Sequence, residues 1–217
     1  MKKALLNLSM LFCCITAQAQ YMQDVSGKPL LAGKYVDVVG TPYLFENWTK
    51  GEVILADGKA YKELDLKYDQ VEGLVFFKGK KGEDLGFTTV VKSFKLFPGS
   101  IPMVFIQVPQ IKDGEKDPYF EVLHEGKNVK FLKKTVKTIR EGNSYGSASS
   151  TKKFTENIQY YLLKSDGTYA KIKKDKKSIL NTLGDKSEAL EKFIKDNKTN
   201  FKEDASVSAL IEYYNTL

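Results

Sequence analysis

The chain contains very little cysteine, histidine or arginine, and each shortage removes a class of chemistry. Its only cysteines are Cys13 and Cys14, its only histidine is His124 and its only arginine is Arg140. If the N-terminal segment that holds both cysteines is removed, no thiolate remains for nucleophilic catalysis, a zinc or iron–sulfur site, or a redox pair. We therefore expect neither a metal nor another cofactor.

Long apolar runs are also scarce, and the one that occurs lies at the N-terminus. Lys2 and Lys3 precede an apolar run over residues 4–16, and Ala17-Gln18-Ala19 supplies the small residues that a signal peptidase requires. This three-part pattern predicts a removable secretory signal over residues 1–19. No other run reaches the length of a transmembrane helix. We therefore expect an exported protein without a transmembrane segment, located in the periplasm, outside the cell or in association with the outer membrane.

A lipoprotein signal, acylated at Cys13 or Cys14, is the alternative interpretation of the N-terminus. Phe12 and Cys13 precede these cysteines at positions where lipoprotein signals prefer a small residue. A removable signal therefore fits the sequence better. The mature chain of about 198 residues is long enough to bury a stabilising core without disulfides.

Positive charge is carried almost entirely by lysine. The formal net charge is +7 and falls to +5 when Lys2 and Lys3 are removed with the signal. Because arginine provides the planar fork that reads phosphates and base edges, its near absence argues against specific nucleic-acid recognition. The densest basic cluster contains Lys171, Lys173, Lys174, Lys176 and Lys177. This cluster either contacts an anionic lipid, glycan or nucleic acid, or forms a solvated corner between a strand and a helix.

Glycine turns and alternating apolar residues predict four antiparallel strands over residues 47–97. Asp57-Gly58 supplies the positive φ angles of a tight hairpin turn. After it, Leu64, Leu66 and Tyr68 alternate with charged residues, which predicts a strand with one buried and one solvated face. The solvated face is predicted to contain Glu63, Asp65, Lys67 and Asp69. Residues 74–77 and 88–97 are predicted to form the other strands of this region.

Further strands and hairpins are predicted on either side of this region. A first strand is expected over residues 34–39, another over 103–108, and hairpins over 119–139 and 158–172, the last with an Asp166-Gly167 turn. Residues 141–153 are rich in glycine and serine and predict a mobile loop or an internal boundary. Tyr145 in this loop is a candidate recognition residue.

The hydrophobic period changes after Asp175 and predicts three short helices. The first ends at Gly184, and the second begins with Asp185 and Glu188, which resemble a capping box. Val207, Leu210, Ile211 and Tyr214 follow the helical spacing of the third. We predict an α+β fold: a mostly antiparallel sheet over residues 20–174, arranged as a meander, a sandwich or a barrel-like sheet, and a helical subdomain over residues 175–217 that packs on it.

Few residues mark a catalytic site. His124 has no locally placed carboxylate, and no G-x-S-x-G elbow is present, so it reads as a histidine at the end of a hairpin. Residues 113–117 carry alternating acids, but Pro118 and His124 occupy positions where a calcium loop requires glycine and glutamate. A hydrolase that uses two carboxylates and acts on glycans stays open, with Asp69 and Glu121 as examples of available acids.

Several short motifs resemble those of uncharacterised exported proteins of the Bacteroidetes type. They are the export signal, Trp48 with Gly51, Asp57-Gly58, Leu66-Lys67-Tyr68-Asp69 and the tail Tyr213-Tyr214-Asn215. The resemblance spans most of the chain and implies export. It implies no activity and no catalytic residue.

The function that these observations favour is non-enzymatic binding or an interaction in the cell envelope. Trp48 is the only tryptophan and is either a platform for sugar stacking or a cover for the edge of the core. The candidate ligand-binding residues are Trp48, Tyr145, Lys171, Lys173 and Lys174. The partners we expect are a glycan, an anionic envelope component or another exported protein. A glycan hydrolase and a peripheral binder of anionic surfaces are the alternatives.

Overall fold

A computed structural model of the chain describes residues 27–29, 34–111, 117–143 and 150–217. The predicted signal peptide with Cys13 and Cys14, residues 113–116 of the acidic loop and Tyr145 lie outside the described residues. The strands are β1 (Gly27–Pro29), β2 (Val38–Val39), β3 (Thr49–Leu55), β4 (Ala60–Asp69), β5 (Leu74–Lys78), β6 (Asp84–Phe87), β7 (Val91–Leu96), β8 (Met103–Gln107), β9 (Tyr119–Glu125), β10 (Val129–Asn143), β11 (Ser150–Lys164) and β12 (Tyr169–Ile172). The helices are α1 (Lys176–Leu183), α2 (Ser187–Asp196) and α3 (Asp204–Thr216).

These elements confirm the predicted α+β class, with a mostly antiparallel sheet followed by three short helices. The twelve described strands form one open sheet in the order β1-β6-β5-β4-β3-β7-β8-β9-β10-β11-β12, and β2 pairs in parallel with β11. The prediction of four strands over residues 47–97 was wrong, because the structure has five. The missed strand, β6, contains Asp84, Leu85, Gly86 and Phe87, and this short stretch with a glycine shows no clear alternation.

The first core lies on one face of β3, β4, β5, β7 and β8. The predicted alternation of β4 places Leu64, Leu66 and Tyr68 in this core, as expected. Phe94 and Phe105, from adjacent strands, stack with a centroid distance of 4.6 Å and an interplanar angle of 7°. The Asp57-Gly58 turn is also confirmed: Gly58 has a φ of 86°, and its N–H donates to the carbonyl of Leu55 at 3.0 Å.

Asp69 departs from this alternation and corrects the sequence prediction. It was expected on the solvated face, but its side chain is only 2% exposed. Asp69 Oδ1 accepts hydrogen bonds from the backbone N–H groups of Val71 at 2.8 Å and Glu72 at 3.1 Å, and Oδ2 accepts one from the Tyr35 hydroxyl at 2.6 Å. The carboxylate therefore organises the turn that ends β4 and is buried by its partners there.

Two predictions about where strands begin and end were wrong for the described residues. Residues 34–37 form a turn instead of a strand, and only Val38 and Val39 pair with β11. The glycine- and serine-rich stretch over 141–153 is partly strand, because the β10–β11 ladder continues in unbroken register from Val129↔Lys164 to Asn143↔Ser150. Backbone pairing with a neighbouring strand thus overrides the weak strand propensity of glycine and serine.

The three helices share a second core with β10, β11 and β12. Phe131, Leu162 and Ile172 contribute to it from the strands, together with apolar residues from all three helices. Leu132 and Tyr161, which are sequence neighbours of Phe131 and Leu162, point to the opposite face, where they form a third, smaller core with Phe120. Among the described residues, no helix is long and apolar enough to cross a bilayer.

The helix boundaries follow the sequence signals in part. Asp175 caps α1 by accepting a hydrogen bond from the Ser178 N–H at 2.8 Å, and Gly184, with a φ of 76°, ends it as predicted. The capping box predicted for α2 is absent, because its N-cap is Lys186, whose side chain makes no cap. Asp185 instead accepts a hydrogen bond from the Tyr214 hydroxyl of α3 at 2.9 Å.

Candidate functional site

The outer face of β3–β6, opposite the first core, carries an aromatic and cationic cluster. We call it the Trp48 face, and it comprises Tyr43, Trp48, Lys67 and Lys78. Trp48 immediately precedes β3. The alternation that sends Leu66 and Tyr68 inward sends Lys67 outward, and Lys67 pairs with Phe76 of β5, two residues before Lys78. The strand register therefore brings two lysines together beside the only tryptophan.

Both lysines of the Trp48 face contact aromatic rings. Lys67 Nζ lies 4.6 Å from the centroid of the Tyr43 ring and 5.2 Å from that of the Trp48 ring. Lys78 Nζ lies 4.7 Å from the centroid of Trp48. These distances are within the range of cation–π attraction. Lys78 also forms an ion pair with Asp84, its cross-strand partner, and donates a hydrogen bond to the Gly82 carbonyl at 3.2 Å.

Lys67 differs from Lys78 because no described residue is in contact with it as a counter-ion. Among the described residues, no carboxylate lies within ion-pair distance of Lys67. Burial lowers the pKa of Lys67, the Asp84 and Glu46 carboxylates oppose this effect, and the positive charge of Lys78 adds to it. Burial also raises the pKa of the Tyr43 phenol. A half-buried ammonium group between two rings is thus only partly compensated, and it is suited to receive an anion.

The lysines predicted to form a cluster at the end of β12 do not share one surface in the structure. Lys171 is exposed, with Nζ 5.9 Å from the Tyr161 ring centroid, and Lys173 is exposed as well. Lys174 turns toward the protein, where its ammonium group pairs with Asp204 and donates to the Lys202 carbonyl at 2.9 Å. The sheet order places five strands between β3 and β12. The structure therefore does not bring Trp48 together with these lysines.

One pair of carboxylates does meet, and it bears on the hydrolase alternative. Glu121 of β9 and Asp204 of α3 both contact Lys133 of β10, with Nζ–O distances of 3.5 and 3.0 Å. Asp204 also accepts hydrogen bonds from the Lys174 ammonium and the Tyr160 hydroxyl. We call these five residues the Asp204 network.

In the Asp204 network two lysine ammonium groups balance the charges of two carboxylates, and the pKa shifts reflect these contacts. Burial raises the pKa of Glu121, although Lys133 opposes the shift. Burial alone would raise the pKa of Asp204, but hydrogen bonds from Lys174, Lys133 and Tyr160 hold it below its ordinary value. An acid and a base with separated pKa values can serve glycoside hydrolysis. Here, however, the Lys133 ammonium occupies the space between the two carboxylates that a glycosidic bond would need.

Asp69, the other acid considered for catalysis, belongs to a buried polar junction. The junction consists of Asp69, Gln70, Asp117, Lys134 and Lys137, all at most 6% exposed. Lys134 donates to the Asp117 carbonyl and lies 4.5 Å from the Phe120 ring centroid, while Lys137 donates to the Tyr43 carbonyl at 2.6 Å. Buried groups with these internal partners connect distant segments and offer no open surface to a substrate.

Metal and histidine chemistry have no built site in the part of the chain that the structure describes. No group of three or more histidine, cysteine, aspartate or glutamate side chains there is arranged to hold a metal ion. His124 pairs with Phe131 across β9 and β10, and its Nε2 is buried without a hydrogen-bond partner. No described hydrogen bond orients it toward an acid or a hydroxyl group.

Sequence reasoning identified Trp48 but missed Tyr43, Lys67 and Lys78. The alternation of β4 did place Lys67 on the outer face, which was the available signal. Its meeting with Trp48 and Lys78 depends on the β3–β4 and β4–β5 registers, and the β3–β4 register shifts between Gly51 and Val53. No family model, no curated protein and no solved structure matches this chain.

Proposed function

We propose that the chain is an exported, non-enzymatic binding protein and that the Trp48 face binds an acidic polysaccharide. The observation that carries the proposal is the half-buried Lys67 ammonium group, which lies between the rings of Tyr43 and Trp48 without a described carboxylate partner. A carboxylate of the ligand would supply the missing counter-charge in a charge-assisted hydrogen bond. The aromatic rings would contact the apolar faces of the sugar.

The shape of the site favours a polymer over a small molecule. The four side chains of the Trp48 face are all partly exposed, so an extended chain that lies across the sheet can contact them. Lys67 and Lys78 approach the same indole ring, and successive carboxylates of a polyuronate would meet both ammonium groups. Because Asp84 already neutralises much of the charge on Lys78, Lys67 provides the main attraction.

The test is affinity electrophoresis of the mature protein in gels that contain polygalacturonate or, as a neutral comparison, dextran. We expect polygalacturonate to retard the protein and dextran not to. Lys67→Gln should weaken the affinity about tenfold, because a hydrogen bond to a charged group is lost. Lys62→Gln is the matched control: Lys62 is an exposed lysine of the same strand, and the variant makes the same charge change.

The dependence of binding on salt concentration distinguishes this proposal from sugar stacking on Trp48. Charge-based binding should weaken steeply between 0.1 and 1 M salt, since the screening length falls from about 10 Å to about 3 Å. Retention by dextran, or binding that persists in high salt, would replace the proposal with neutral stacking. Equal loss in Lys62→Gln and Lys67→Gln would show that only overall charge matters, and absence of binding to both polymers would reject the proposed function.

A further inference from the structure

A cavity of about 290 Å³ lies between two hairpin turns at one end of β9–β12. Its walls come from the β9–β10 turn, the β11–β12 turn and the strand residues beside them, namely Gly126, Lys127, Val129, Lys130, Leu163, Lys164, Ser165 and Gly167, and from Gln110. We call it the turn pocket. It belongs to different strands from the Trp48 face, so the two sites are separate.

The lining of the turn pocket is cationic. Lys127, Lys130 and Lys164 border it, and no carboxylate is among its lining residues. Lys130 forms an ion pair with Glu125. Among the described residues, neither the Lys127 nor the Lys164 ammonium group has an ion-pair partner. Hydrogen bonds from Thr168, together with the nearby Lys164 charge, lower the pKa of Asp166 in the same turn, so the Lys164 charge is partly balanced there. Lys127 borders the pocket without a described counter-charge, and a bound anion would compensate it.

Hydrogen bonds hold both turns in place. Asn215 of α3 accepts at Oδ1 from the N–H groups of Asn128 at 2.8 Å and Val129 at 3.0 Å, and its Nδ2 donates to the Val129 carbonyl. The Ser165 N–H donates to the Asn128 carbonyl at 2.9 Å and so joins the two turns directly. Because the backbone is fixed before a ligand arrives, binding costs little ordering of the protein.

We infer that the turn pocket binds a small organic anion of monosaccharide size that carries a carboxylate or a phosphate. The volume of about 290 Å³ lies just below the roughly 300–1,000 Å³ typical of ligand pockets and suits a ligand of this size. Lys127 and Lys164 receive the anionic group. The Gln110 amide and the Ser165 hydroxyl reach its neutral polar groups, and Val129 with Leu163 forms an apolar wall.

The test is titration of the ¹⁵N-labelled mature protein followed by NMR. The probes are glucuronate, glucose 6-phosphate, inorganic phosphate and neutral glucose. We expect saturable shifts of the Gly126, Ser165 and Gly167 amides with at least one of the two sugar anions and none with glucose. The stronger sugar anion identifies the preferred charged group. If inorganic phosphate binds as tightly as glucose 6-phosphate, and glucuronate does not bind, the inference of an organic ligand is overturned.

Variants distinguish the pocket from general surface charge. The double variant Lys127→Gln/Lys164→Gln should weaken binding of the sugar anion at least tenfold. Lys92→Gln/Lys95→Gln removes the same charge from exposed lysines of β7 outside the pocket and should leave the affinity within about twofold. All four side chains lie at the surface, so folding should persist, as circular dichroism would verify. Equal losses in both double variants, or shifts that never saturate, would reject the pocket.

Discussion

At the scale of single residues, two aspartates of β4 show how burial changes the role of a charged side chain. Asp65 lies on the outer face and pairs with Lys50 at 2.8 Å, as its place in the alternating pattern predicts. Asp69, four residues later, is buried and accepts three hydrogen bonds. A surface ion pair contributes little to stability. Removal of a buried acceptor is costly, because it leaves its donors without a hydrogen-bond partner.

Asp69→Asn should therefore lower the free energy of unfolding by about 1–3 kcal/mol. The Tyr35 hydroxyl and two backbone N–H groups all donate to the carboxylate. The amide that replaces it keeps one oxygen, which can still accept from the two N–H groups, but its nitrogen cannot accept from the Tyr35 hydroxyl, so that charge-assisted hydrogen bond is lost. Asp65→Asn makes the same chemical change on the same strand and should cost less than about 1 kcal/mol. Urea unfolding of both variants measures the difference. Equal costs would mean that the Asp69 hydrogen bonds do not contribute to stability.

At the scale of elements, the Asp204 network anchors the start of α3 to the sheet. Asp204, in the first turn of α3, receives Lys133 from β10, Tyr160 from β11 and Lys174 from the end of β12. This position also places a negative charge at a helix N-terminus, where the helix dipole favours it. Lys174, one of the clustered lysines that suggested an anionic ligand in the sequence, thus pairs with Asp204 and helps to hold α3 on the sheet.

The Asp204 contribution should depend on pH with a defined sign. The pKa of Asp204 is lower in the folded protein than the ordinary 3.8, so its stabilisation is complete above that value and is lost as the pH falls through the folded pKa. Asp204→Asn should cost about 1–3 kcal/mol at pH 7 and progressively less below about pH 4, where the wild-type carboxylate also becomes protonated. Denaturant unfolding of the wild type and of Asp204→Asn across pH 2–7 measures this convergence.

Asp196→Asn provides the control for Asp204→Asn. Asp196 pairs with Lys192 on an exposed turn of α2, and its replacement should cost about 0.5 kcal/mol or less. Glu121 has a raised pKa, so its contribution to stability changes with pH in the opposite direction. We therefore compare the free energy of unfolding of variant and wild type at each pH, because the difference between them isolates the effect of Asp204. A cost for Asp204→Asn that stays constant down to pH 2 would contradict the assigned shift.

At the scale of the whole molecule, the buried polar junction ties the first core to the remainder of the sheet. Tyr68 packs in the first core through its ring and donates its hydroxyl to Asp117 Oδ2, just before β9. A Cβ on Gly73 would lie 2.4 Å from Asp117 Cα, so the β4–β5 turn and the segment before β9 are in close contact. Lys134 of β10 meets the same segment. We therefore expect two halves of the molecule, the strands around the first core and the remaining strands with the helices, to unfold together.

Tyr68→Phe tests this coupling. Loss of the donor to a buried carboxylate should cost about 1–3 kcal/mol, while the ring packing is retained. Trp48 fluorescence reports on the first half and far-ultraviolet circular dichroism on the helices, and both midpoints should fall together. Tyr61→Phe is the matched control, since Tyr61 is a buried tyrosine of the same strand whose hydroxyl has no described hydrogen bond. If only the fluorescence midpoint moves, the halves unfold independently.

The sequence by itself determined most of the local elements, although it did not show β6. Period-two alternation and Asp-Gly turns specify the strands and hairpins, and period 3.6 with Asp175 and Gly184 specifies the helices, because these signals act between residues close together in the chain. Tertiary structure alone decided which segments meet: it buried Asp69, extended the β10–β11 hairpin through Asn143 and Ser150, and placed Lys67 and Lys78 beside Trp48. These contacts depend on strand order and register, which energies of packing over the whole sheet select and which no local pattern encodes.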